Sequence, residues 1–287
     1  MSAGQAEAFR VLALDIDGTL LDSRNRISPR NLAAVNAASE SGVRIALITG
    51  RRYPAAKKIA DLLSGNPTLV LHNGGLVMEN SLAIRVCPLA RSAAIAVVAF
   101  AKSRGADPVV HLGHRGEGLL FVENASPSHT LLAYYLTRSH PDVRVVESLE
   151  RTLAAESHDP LQVMFGGSMI DMAELASAIE ARGFEVRALR TVYPKDDLSL
   201  IDVVAPMVDK SEALRFLCSR WGVSLSQVLA IGDNWNDRLM LQAAGKGCVM
   251  RNAEPGLHSI GLEVVPGNDE DGVAYAVERF VLGSGLL

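Results

Sequence analysis

Arg10-Val11-Leu12-Ala13-Leu14-Asp15-Ile16-Asp17-Gly18-Thr19-Leu20 places an aliphatic run directly before two carboxylates and a glycine. A short run without polar alternation, rich in Val and Leu, predicts a strand buried on both faces, as in a parallel sheet. Asp15 and Asp17 then fall on a tight turn just beyond that strand. Gly18 gives the turn its freedom and leaves room for close approach of a ligand.

Similar runs recur at residues 43–48 (VRIALI), 68–71 (TLVL), 228–231 (VLAI) and 247–250 (GCVM). Helical patterns lie between them. One opens on Ser28 as N-cap with Pro29 in the first position and stops at Gly42; another runs from Ser211 to Trp221 and stops at Gly222. Strand, helix, strand in this order predicts an α/β fold with a doubly wound parallel sheet and right-handed crossovers.

The alternation breaks in the middle of the chain. Half-buried alternating stretches at 118–122, 143–146 and 161–165 mix there with helical stretches at 92–102, 128–139 and 170–182. This predicts a discontinuous core over 1–84 and 204–287, interrupted by an inserted α+β domain over 85–203.

The chain has 287 residues, 48% hydrophobic and 21% charged, with a formal net charge of −4. That balance argues against a general binder of nucleic acid or of membrane surfaces, so an anionic ligand must be held by local charges. No apolar run approaches membrane-spanning length. The first apolar stretch is broken by Asp15 and Asp17 and follows no basic segment, against a signal peptide. Cys87, Cys218 and Cys248 are scattered without CxxC spacing, which suits small core residues in a reducing cytoplasm.

In open α/β sheets, ligands bind beyond the carboxyl ends of the strands, and Asp15, Thr49 and Asp233 each end or follow a predicted strand. Asp15, Asp17, Asp233 and Asp237 together would repel one another and any phosphate. A divalent cation resolves the conflict, and oxygen-only ligands favour Mg²⁺. One Asp15 oxygen could then attack phosphorus, Asp17 could protonate the leaving alkoxide and later deprotonate water, and Thr49 and Lys210 could stabilise the transferring phosphoryl group.

The ordered strings DIDGTL (15–20), TGR (49–51), a lysine opening a helix (Lys210) and GDNWND (232–237) resemble the haloacid dehalogenase superfamily, specifically its Cof-type phosphatase branch. The resemblance spans nearly the whole chain. His72-Asn73-Gly74-Gly75 is similar to the Asn-Gly loop of that branch, residues 247–253 to its late strand and loop, and Asp271-Gly272-Val273 to the start of its last helix. It implies a Rossmann-like core with a large inserted α/β cap. It further implies Asp15 as nucleophile and Asp17 as acid/base. Mg²⁺ would be held by Asp15, the Asp17 carbonyl and Asp233, with Asp237 and Asn236 completing or orienting the shell. Phosphate would be bound by Thr49, Gly50, Lys210 and Asn73, and the substrate would be a small phosphorylated metabolite such as a sugar, cofactor or nucleotide-precursor phosphate. Ser211 stands where the family usually has glycine, and Asp209 is placed to pair with Lys210.

Other residues have plainer readings. Arg51 and Arg52 read as surface or supporting charges, and Trp235 as packing beside a helix start. His111 and His114 have HxxH spacing without the glutamate of a zinc-protease helix, which argues against a metal there. His111, Arg115 and His158 are candidates for substrate contact within the insertion. Two competing functions share the same motifs: a phosphomutase that returns the phosphoryl group to a sugar, and a sensor that binds a phosphometabolite without turnover.

Overall fold

The computed structural model describes residues 8–127 and 130–283. It divides into two compact units. The first comprises the chain up to Thr49, Ala55–Val70 and the segment from Lys210 onward; the second comprises Gly50–Pro54 and Leu71–Asp209.

In the first unit the strands lie in the order Glu263–Val265, Lys246–Met250, Val228–Gly232, Val11–Leu14, Arg44–Ile48, Thr68–Leu71, each parallel to its neighbours. The five runs identified in the sequence supply five of these strands. Val11–Leu14 occupies a central position and is buried along its whole length, which is why it reads as an unbroken apolar run. Helix Pro29–Glu40 is capped by the Ser28 side chain, which accepts from the Asn31 backbone amide, and it packs against helix Gly272–Phe280. Every buried Leu, Ile or Val contributes about 1.5–3 kcal/mol relative to exposure.

The parallel order has a functional consequence. Asp15, Thr49 and Asp233 all leave the sheet at the same edge, because each follows the carboxyl end of a parallel strand. The Asp15 amide donates to Ile231 O at 3.1 Å, and the Thr49 amide donates to Val70 O at 2.9 Å. These bonds carry the sheet ladder up to the first functional residue.

The second unit contains a six-stranded sheet in the order Arg187–Tyr193, Leu198–Val204, Gln162–Gly167, Val109–His111, Leu120–Val122, Val143–Val145. All pairings are antiparallel except the last. Helices Arg91–Lys102, Leu149–Ala155 and Met169–Ala181 cover one face, where Val98, Val110, Phe165, Leu175 and Ile201 form the core. Helix Thr130–Ser139 contributes Leu132 and Leu136 to a smaller cluster with Val109, Leu120 and Met164. The first two residues of the predicted 128–139 helix lie outside the described residues. The segment 85–203 lies within this second unit.

Candidate active site

Beyond strand Val11–Leu14 the chain makes one wide turn, closed by the Leu21 amide donating to Ile16 O at 3.0 Å. Asp17 is extended (φ −81°, ψ 121°) and Gly18 takes φ +77°. Glycine is needed there for a second reason as well: a Cβ on Gly18 would stand 2.3 Å from Asp233 Oδ2. The turn is thus packed onto the carboxylate that ends the neighbouring strand. Thr19 Oγ1 donates to Asp233 Oδ1 at 2.8 Å and holds that carboxylate from the same turn.

Lys210 opens helix Lys210–Trp221, yet its side chain is 1% exposed. Nζ lies 2.6 Å from Asp15 Oδ1 and 2.6 Å from Asp237 Oδ1. Asp237 is fully buried. Its other oxygen accepts from the Asp233 amide at 3.1 Å and the Asn234 amide at 3.0 Å. One carboxylate therefore shapes the Asp233–Asp237 loop and anchors the ammonium.

The electrostatics follow from burial. Asp15 is pushed up to about 7 by desolvation, helped by the Asp237 and Asp17 charges and opposed by Lys210. Asp233 is raised well above the usual carboxylate range by desolvation and by the Asp15 and Asp237 charges. Burial works against the Lys210 ammonium, but Asp15 and Asp237 override it and raise its pKa. The site carries more negative charge than one ammonium balances.

A hard cation would fit that excess. Asp15, Asp233 and Asp237 each offer a carboxylate oxygen within 4.8 Å of one another, and all three are buried. Three hard oxygen donors and no nitrogen or sulfur suit a divalent ion of the Mg²⁺ or Ca²⁺ type.

The structure brings Asp15, Lys210, Asp233 and Asp237 together in the first unit, with Asp17 half-buried beside them and Asn236 half-buried in the loop. Thr49 is buried in that unit too. Gly50 and Asn73 belong to the second unit, where a Cβ on Gly50 would stand 3.3 Å from Asn73 Nδ2. Asn73 adopts φ +54° and donates from Nδ2 to Asp202 Oδ2 at 2.8 Å. Asp202 has no motif around it and was not legible in the sequence. Thr19 lay inside a recognised string, where the hydroxyl type was the available signal.

Several plainer readings change. Arg52 is buried rather than a surface charge, donating to Gly118 O at 2.8 Å and to Asp142 Oδ2 at 2.5 Å. Asp209 pairs with Arg187 within the second unit, while Lys210 pairs with Asp15 and Asp237. Adjacent residues at a helix start point in different directions, which separates the expected pair. His111 is buried edge-to-face against His72, their ring centroids 5.4 Å apart. His114 instead meets His158, at 5.3 Å. Trp235 is 37% exposed and donates from Nε1 to Glu254 Oε2 at 2.7 Å. Cys218 and Cys248 are buried and Cys87 half-buried, all three as free thiols.

A family model described as haloacid dehalogenase-like hydrolase matches residues 12–277. A phosphoglycolate phosphatase of Methanothermobacter thermautotrophicus is 26% identical over 273 residues, covering 95% of this chain and 99% of that protein. The chain spans 46% of an Arabidopsis thaliana protein named chloroplastic endoribonuclease YBEY, at 26% identity over 285 residues and 95% of this chain. Among solved structures, the subclass IIB sugar phosphatase BT4131 superposes with a TM-score of 0.75 at 21% identity, covering 94% of this chain and 98% of that one. At that identity the likeness is one of fold. Among the described residues, no helix is long and apolar enough to cross a membrane.

Proposed function

The chain belongs to the haloacid dehalogenase-like hydrolase family, and from that premise we propose that it is a Mg²⁺-dependent phosphatase of small phosphomonoesters that works through an aspartyl-phosphate. The observation that carries this reading is the buried meeting of Asp15, Asp233 and Asp237 around Lys210 at the carboxyl edge of a parallel sheet.

In this mechanism an Asp15 carboxylate oxygen attacks phosphorus in line, and the ester oxygen departs. Asp17, on the same turn, gives that oxygen its proton. Asp17 then accepts a proton from water as the water attacks phosphorus, which frees inorganic phosphate and returns Asp15 as a carboxylate. Lys210 favours the ionised form of Asp15 against the effect of burial and faces the charge that develops on the phosphoryl oxygens. The Thr49 hydroxyl, with Gly50 and Asn73, is assigned to phosphate binding. Asp15, Asp233 and the Asp17 backbone carbonyl would hold Mg²⁺, supported by Asp237 and Asn236. The ion supplies positive charge that lets the acids stay ionised beside a phosphate.

Residues 1–84 and 204–287 serve in this reading as the catalytic core, and 85–203 as a cap that sets substrate choice and excludes water. The relative named phosphoglycolate phosphatase and the fold neighbour named sugar phosphatase support a small phosphorylated metabolite as substrate. A cytoplasmic setting suits three free thiols.

The test is release of inorganic phosphate from a panel of sugar, glycolate and nucleotide-precursor monophosphates, with Mg²⁺ and with chelator. Release that requires Mg²⁺ and vanishes in Asp15→Asn supports the reading. Isomerised sugar phosphate without free phosphate would make the chain a mutase, and binding without turnover across the panel would make it a sensor.

A further inference from the structure

The turn that carries Asp17 is clasped from outside the strings that supply the carboxylates and the lysine. Asn252, two residues beyond strand Lys246–Met250, donates from Nδ2 to Gly18 O at 2.8 Å across 234 residues of sequence. Its Oδ1 accepts from the Asn268 amide at 2.8 Å. The two bonds fix which end of the Asn252 amide faces the turn: the donor must point at Gly18, since the acceptor is used on the opposite side. Asn268 in turn donates from Nδ2 to Leu21 O at 2.9 Å, so the far end of the same turn is held by the next link.

Gly18 is the residue for which this matters most. It sits at φ +77° between Asp17 and Thr19, where an unrestrained glycine peptide has many alternatives. Rotating the Gly18–Thr19 peptide would swing Asp17 on one side and Thr19 on the other, and Thr19 holds Asp233. The Asn252 bond is directed at that peptide.

We propose that Asn252 is a positioning residue for Asp17, acting through the Gly18 carbonyl, with Asn268 as its support. This rests on the reading of Asp17 as the acid and base. A misaimed Asp17 harms most the reactions that need a proton delivered to the leaving oxygen. The nitrophenolate leaving group departs readily without one, whereas phenolate, being more basic, depends more on the acid.

The experiment compares Asn252→Asp and Asn252→Ala with wild type on p-nitrophenyl phosphate and phenyl phosphate, reading kcat/KM, and follows amide hydrogen exchange over residues 16–21. Asn252→Asp is isosteric and keeps the acceptor for Asn268, but sets an oxygen against Gly18 O. The expected result is faster exchange confined to the turn, and a loss on phenyl phosphate about tenfold greater than on p-nitrophenyl phosphate, a modest share of the roughly 10²–10⁴-fold that a general acid supplies. Unchanged exchange at 16–21 overturns the proposal whatever the rates. Equal losses on the two esters overturn it as well, because a merely structural role lowers both alike. Faster exchange in a protein whose wild type releases phosphate neither from these esters nor from the metabolite panel leaves the clasp standing and removes the phosphatase reading instead.

Discussion

Lys210 Nζ stands 2.6 Å from Asp15 Oδ1, a contact between residues 195 positions apart in which the ammonium is 1% exposed. So deep an ammonium is held by two carboxylates, Asp237 taking its second hydrogen bond, also at 2.6 Å. Replacing Lys210 by Met removes the cation and leaves both carboxylates buried. Breaking such a group by removing one partner costs about 3–5 kcal/mol. Urea unfolding of the metal-free protein should register that loss, and phosphate release should fall with it. A variant as stable as wild type would mean that the ammonium is not what permits these carboxylates to be buried.

Asp233 ends strand Val228–Gly232 and takes the Thr19 hydroxyl on Oδ1. Asn at this position can still accept from Thr19, so the fold should survive while a charged oxygen donor is lost. The Mg²⁺ concentration for half-maximal phosphate release should rise at least tenfold, since even an outer partner of a metal ligand is worth about 10–100-fold in affinity. Titration of Mg²⁺ into Asp233→Asn measures this, and an unshifted midpoint would reassign the residue.

Gly18→Ala tests the packing of the turn on the same carboxylate. The new methyl would sit 2.3 Å from Asp233 Oδ2, and the backbone would have to hold φ +77° with a side chain present. The left-handed conformation alone costs about 1–2 kcal/mol, and relief of the clash must move Asp233. The expected outcome is a lower melting temperature together with weaker Mg²⁺ activation. A drop in melting temperature with normal activation would show that the turn yields without disturbing Asp233.

The legibility of this site in the sequence follows from its place on the sheet. Strands such as Val11–Leu14 and Val228–Gly232 are buried throughout, so their apolar runs are unbroken and the acids that end them stand out. Asp15 and Asp233 were visible for that reason. Lys210 could be located by its helix start and Asp237 by the GDNWND string, but no local pattern reveals that the two pair across 27 residues. For Arg52 the sequence leaves surface and supporting charge open, and only the contacts with Gly118 O and Asp142 exclude the surface. Asn252 and Asp202 act across 234 and 129 residues respectively, and separations of that size leave no periodicity to read.

The histidines of the second unit give the clearest pH dependence away from the carboxylate cluster. His72 and His111 are each 1% exposed. Burial pulls His72 down to about 4; burial, then the charges of His72 and Arg52, hold His111 well below 6.5. Both are therefore neutral in the folded protein, whereas in the unfolded chain they take up protons near pH 6.5. The unfolded state binds more protons below that pH, so their contribution is fully present above about 6.5 and is lost as pH falls toward and through 4. For His72 the full loss is of order 3 kcal/mol, from about 1.4 kcal/mol per pKa unit. His111→Phe keeps a ring edge-to-face with His72 and stacked on Tyr135 and removes two buried nitrogens that have no hydrogen-bond partner among the described residues. It should be at least as stable as wild type at pH 7, because an unpaired buried polar group costs about 1–3 kcal/mol. Its melting temperature should also fall less between pH 7 and pH 4.5, measured by circular dichroism. Parallel declines for the two proteins would mean that His111 is not buried in its neutral form.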